Sequence, residues 1–251
     1  MKKKTLAIYA DSHGVNNTGG VDDSDFPKDM QPSWFEYLMN DYDITNYSLR
    51  GSSTYYSFNN FLHKHHLYDN VIFIPSSPGR IDIVLEDNSL TSVIPNFNLL
   101  EECYSRYNPN SLDFKKTKTA VDYMTYLYDP IKELRLNNCM IREVMRIRPD
   151  VLIIPAFKSN IWHQQAVVLS DFSRNELLSY KLVIKNQGYF DLRKCHLSEE
   201  HNEILYKKVK KSLENNDKFA YFIESDFVLP KNNFEYYFKK LPSGQMGNVR
   251  F

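Results

Sequence analysis

Residues 5–14 read TLAIYADSHG, an apolar run from Leu6 to Ala10 that stops on Asp-Ser-His-Gly. A short apolar run with lysine before it and a polar turn after it is the pattern of a buried strand. In a central parallel strand, Asp11, Ser12, His13 and Gly14 fall at the carboxyl edge of the sheet, where open α/β sheets bind ligands. The plainer alternative is a buried strand that ends in an ordinary polar turn. The rest of the chain decides between the two.

Two further runs have the same character, NVIFIPSS at 70–77 and RPDVLIIPAF at 148–157, each entered from turn residues and left through polar ones. DITNYSLRGSS (43–53) is a short strand ending in a glycine turn. Helical spacing fills the intervals. PSWFEYLMNDY (32–42) places Trp34, Phe35, Leu38 and Met39 on one face behind a capping Ser33. A second helix opens at Ser53 and runs to about His66, and a third spans about Pro130 to Ile147. HLSEEHNEILYKKVKKSLEN (196–215) is amphipathic, capped by Ser198, with Ile204, Leu205, Val209 and Leu213 toward the core. Strands alternating with helices predict an α/β fold with a parallel sheet wrapped on both faces. Residues 15–32 form a loop rich in Gly, Asp, Asn and Pro. The main domain is expected over 1–216, with an insertion at 85–130 and an aromatic-rich appendage at 217–251.

At 251 residues the chain suits one large domain and can bury a core without a metal or disulfide staple. Lys plus Arg and Asp plus Glu balance at 31 each, so no global field draws it to nucleic acid or an anionic membrane. Cys103, Cys139 and Cys195 are odd in number, far apart and in no CxxC arrangement, which reads as reduced thiols. MKKKTLAIYA starts like a signal peptide, but its apolar run ends at Asp11, short of the roughly 7–15 residues an export signal needs. No run approaches the roughly 18 apolar residues of a membrane span. A soluble, cytoplasmic protein is expected.

The strand ends gather the candidate chemistry. The first gives Asp11 to Gly14, the second Arg50, Gly51, Ser52 and Ser53, the third Ser76, Ser77, Pro78, Gly79 and Arg80, and the fourth Lys158, Ser159 and Asn160. His196 stands at the start of the last predicted helix. A serine at one strand end and a histidine from the far end of the chain make a nucleophile–base pair for acyl chemistry. Amides beside Ser12 and from Gly51 can hold an oxyanion. His13 is expected to point away along the turn. HKHH (63–66) offers helical His63 and His66 without a third ligand at metal spacing, so it reads as a helix C-terminus. KKVKK (207–211) reads as a solvated helix face.

ADSHG (10–14), NYSLRGSSTYYSF (46–58, with Asn46, Gly51 and Ser53 in register) and CHLSEEHNEILYKKV (195–209) together resemble the blocks of the SGNH (GDSL-like) hydrolase superfamily, in particular its phage-associated members. The resemblance spans about residues 5 to 214 and implies a flavodoxin-like three-layer α/β/α sandwich. It implies that Ser12 attacks, that His196 shuttles the proton, and that Gly51 contributes to the oxyanion hole. The first block matches with Ala10 for glycine, and two further positions depart from the family. The third block lacks its asparagine, leaving Ser77 or Arg80 as donors, with Asp11 also expected at the oxyanion and substrate site. The family's acid three residues before the histidine is here Arg193, so Asp191 is the candidate orienter, and otherwise the site is a Ser–His dyad. The implied substrate is a small acyl ester such as an O-acetylated sugar or glycan, with no cofactor and no metal. Acyl transfer to a sugar hydroxyl is the alternative reaction. A catalytically degenerate glycan-binding or virion structural protein is the alternative of a different class.

Overall fold

The computed structural model describes residues 2–15, 33–49, 51–93, 107–157, 159, 161–162, 168–169 and 199–222. Its centre is a parallel sheet of four strands in the order β2-β1-β3-β6: β1 (Lys4–Tyr9), β2 (Tyr42–Asn46), β3 (Asn70–Phe73) and β6 (Leu152–Ile153). The register pairs Leu6 with Ile44 on one side of β1 and Ile8 with Ile72 on the other. Pairing continues past the strands through Leu49 N–H to Ala10 O, Ile74 N–H to Tyr9 O and Ile154 N–H to Phe73 O. It stops at Pro75 and Pro155, which have no N–H to give. These prolines release the chain where the polar residues begin.

The apolar run of β1 is continuous because both its faces are covered. Leu6, Ile8 and Ala10 pack with Trp34, Phe35 and Leu38 of α1 (Trp34–Leu38) and with Leu205 and Val209 of the C-terminal helix, Glu199–Asn215. Ala7 and Tyr9 pack on the opposite side with Phe61 of α2 (Thr54–Lys64) and with Ile141 and Val144 of the helix Pro130–Ile147. Each fully buried aliphatic side chain contributes about 1.5–3 kcal/mol, so these two clusters carry the fold. The helix α1 is shorter than the 32–42 expected. The Asp41 N–H bonds Leu38 O, and the chain turns at once into β2. Glu36 reaches back to the Ser33 amide and hydroxyl, holding the helix start.

Within 85–130 lie a strand and a helix. β4 (Ile81–Val84) and β5 (Leu90–Val93) form an antiparallel hairpin. It packs through Ile83 against Ala120, Val121 and Met124 of α3 (Leu112–Tyr126). The helices Pro130–Ile147 and Glu199–Asn215 are α4 and α5. The docking of the chain after 217 was left open by the sequence. Residues 218–222 run beside β6, with Ile153 N–H on Lys218 O and Ala220 N–H on Ile153 O, and bury Ala220 and Phe222.

Candidate functional site

β1 and β3 are neighbours although β2 separates them in sequence, so the chain leaves β1 toward one edge of the sheet and β3 toward the other, and a crevice opens at the strand ends. Ser12 opens a one-turn 3-10 helix, Ser12–Gly14, at that crevice. The turn is fixed from four directions. Asp11 accepts its first amide, from His13, at 3.0 Å. The Trp34 indole N–H donates to His13 O at 2.8 Å, and Asn46 Nδ2 donates to Gly14 O at 2.6 Å. Gly14 fits against Ala10 and Ser48, and a Cβ there would stand 2.6 Å from Ala10 Cβ and closer still to the Ser48 hydroxyl. Gly14→Ala is therefore expected to displace the turn. A misplacement of about 1 Å costs about 100-fold in rate. Ester-hydrolysis kinetics beside a melting curve check this, and unchanged kcat/KM would show that the turn tolerates the methyl.

Beneath Ser12 lies a buried ionic cluster. Asp11 is fully buried, and its Oδ1 accepts from both the backbone N–H and the Nδ1 of His13, the latter at 2.9 Å. Its Oδ2 accepts from Ser76 Oγ at 2.9 Å and lies 3.4 Å from Arg80 Nη1. Burial works to raise the Asp11 pKa. The His13 and Arg80 contacts outweigh it and hold the carboxyl well below the usual carboxylate range. An ionised carboxylate only accepts hydrogen bonds, so His13 Nδ1 carries the proton in this pair. Asp11, expected at the oxyanion and substrate site, organises the turn, the end of β3 and Arg80 around itself. His13, expected to point away along the turn, is buried, with its ring edge-on to Phe157 at 5.3 Å.

Arg80 arrives through a tight turn, Ser77-Pro78-Gly79-Arg80. Gly79 has φ +81°, as position three of a type II turn requires after proline. A Cβ on Gly79 would also meet the Tyr128 ring at 2.5 Å. The guanidinium lies against Ser52 O at 3.4 Å and over the Phe157 ring at 5.9 Å, while its buried Nε has no partner among the described residues. Among the described residues Ser77 Oγ makes one long contact, 3.5 Å, to Pro78 O. Gly51 takes φ +72° in the loop after β2. That loop is braced by the Ser52 amide and hydroxyl on Leu49 O, and by Ser53, whose amide bonds Asp82 Oδ1 at 2.8 Å and whose hydroxyl bonds Asp82 Oδ2. Burial pushes the Asp82 carboxyl up, and the Ser53 bonds oppose it.

Ser12, Asp11, Gly51, Ser77 and Arg80 thus belong to one sheet edge. Arg50, Lys158, Asn160, Asp191, Arg193, His196 and Ser198 lie outside the described residues. The sequence reading missed Asp82, and Thr54 and Asn137, both of which donate to Ser76 O, at 3.2 and 3.4 Å. Their signal is weak because each acts through one contact from a distant element. In HKHH, His65 stacks on Phe61 and its carbonyl accepts from Arg148, so it serves packing at the end of α2. Among the described residues no three His, Cys, Asp or Glu side chains converge as metal ligands, and no helix is long and apolar enough to cross a membrane. The chain matches no protein-family model and no curated protein.

Proposed function

We propose that the protein is a serine esterase of SGNH type, with the flavodoxin-like three-layer sandwich of that superfamily, acting on acyl esters of a sugar or glycan. The observation that carries the reading is the placement of Ser12 at the β1/β3 crevice, in a turn held from Asp11, Trp34 and Asn46. A nucleophile gains most from being held still. Ser12 Oγ attacks the acyl carbon as His196 takes its proton, and the alcohol leaves with that proton. Water then attacks the acyl-serine, and His196 again moves the proton. Asp191 orients His196. The Ser12 and Gly51 amides receive the oxyanion, and Arg80, with donors to spare beside Asp11, supports the charge where the family uses asparagine.

Turnover of p-nitrophenyl acetate by the wild type and its loss in Ser12→Ala test the reading. Activity that persists in Ser12→Ala would end it. With an acylated donor and a sugar acceptor, release of free acid marks a hydrolase, and faster formation of acylated sugar marks a transferase.

A further inference from the structure

A cavity of about 750 Å³ opens between β4 and α3, walled by Ile81, Ile83, Val84, Leu112 and Ala120. It is joined to the candidate site through Asp82, which lines the cavity and whose carboxylate accepts from the amide and hydroxyl of Ser53, in the loop that carries Gly51. Arg80, beside Asp11, leads directly into β4, which forms one wall of the cavity. Its size falls within the range of small-molecule sites.

Of the six polar side chains around it, five are engaged within the protein, and the sixth, Lys115, is exposed. Asp82 holds Ser53, and Tyr123 donates to Glu133 at 2.9 Å. Thr119 donates to Lys115 O at 2.8 Å, and Lys116 donates to Val84 O at 2.7 Å. Such a lining offers a sugar few partners for its hydroxyls, and a desolvated hydroxyl without a partner is costly. It offers a hydrocarbon chain apolar walls, and Val84 and Leu112 leave half their surface exposed there, 52% and 49%.

We infer that this cavity is the acyl-chain subsite, so that the preferred ester carries a medium-length apolar acyl group and the sugar side lies elsewhere. The inference rests on the esterase reading for its reaction, but its binding can be read without turnover. Each buried methylene favours binding, so kcat/KM for p-nitrophenyl octanoate should exceed that for the acetate by about tenfold or more. Val84→Glu and Thr119→Trp, at exposed positions, should bring the ratio toward one. In Ser12→Ala, titration with sodium decanoate should show saturable binding that Val84→Glu weakens at least about fivefold. Decanoate binding without ester turnover would remove the esterase reading and keep the cavity as an acyl-chain site. A flat chain-length profile, a ratio unmoved by both substitutions, or no saturable decanoate binding would overturn the assignment.

Discussion

Ser12→Ala is expected to lower ester hydrolysis by about 10⁴-fold or more while the melting temperature stays within a few degrees of the wild type. Loss of a nucleophile that acts with a general base removes the covalent route, and what survives is the smaller contribution of oxyanion donors and binding. The fold should not suffer, because the Ser12–Gly14 turn is held through the carbonyls of His13 and Gly14 and the amide of His13. His196→Ala should match the loss, and Asp191→Asn should cost orders of magnitude if its carboxylate orients the ring. Loss in His13→Ala with retention in His196→Ala would move the base to the Asp11–His13 pair. Steady-state rates with far-ultraviolet circular dichroism on each variant decide these outcomes.

Asp11→Ala is expected to destabilise the fold by about 3–5 kcal/mol, because it strips the partner from a buried imidazole and a half-buried guanidinium and empties a fully buried, hydrogen-bonded carboxylate position. For a chain of this size that is on the order of 10 °C in melting temperature. The same cluster sets an acid limit. The folded Asp11 carboxyl is held below its unfolded value, so its contribution is complete above the usual carboxylate range and fades as pH falls through and beneath it. Urea midpoints at neutral pH and near pH 3 should converge between wild type and Asp11→Asn, because the variant has no proton to gain there. An equal gap at both pH values would show that Asp11 is not what acid disarms.

The parallel sheet was legible because three of its strands, β1, β3 and β6, are buried on both faces, and such strands print as unbroken apolar runs at 6–10, 71–74 and 151–154. The caps Ser33 and Ser53 were legible too, since each sits just before its helix and acts on a group three residues on, Glu36 and the Tyr56 amide. The hairpin β4–β5 and α3 were not. Their apolar face is small, and Val84, Leu112 and Tyr126 remain exposed, so the periodicity that marks a helix or strand is diluted. At the site, Ser12 and Gly51 could be read from motif order. The Asp11–Ser76–Arg80 cluster could not, because it depends on a turn that folds residue 80 back to residue 11. Arg80 was named, but as a donor to substrate. Its contact with Asp11 adds a structural duty that no local pattern carries.

The placement of residues 218–222 beside β6 has a consequence for biosynthesis. The strands and turns that carry Ser12, Gly51 and Arg80 are all made by residue 80. The helix that covers α1, the Asn202 Oδ1 that accepts the Trp34 amide, and the chain that flanks β6 come only from residue 199 onward. At about 5–20 residues per second, a nascent chain holds its apolar β1 face without its final cover for on the order of ten seconds. During that interval the exposed strands are a target for chaperones and for other nascent chains. The last segment synthesised among these elements is thus the one that shields the first, and a ribosome stalled before it would release a sheet with one face open.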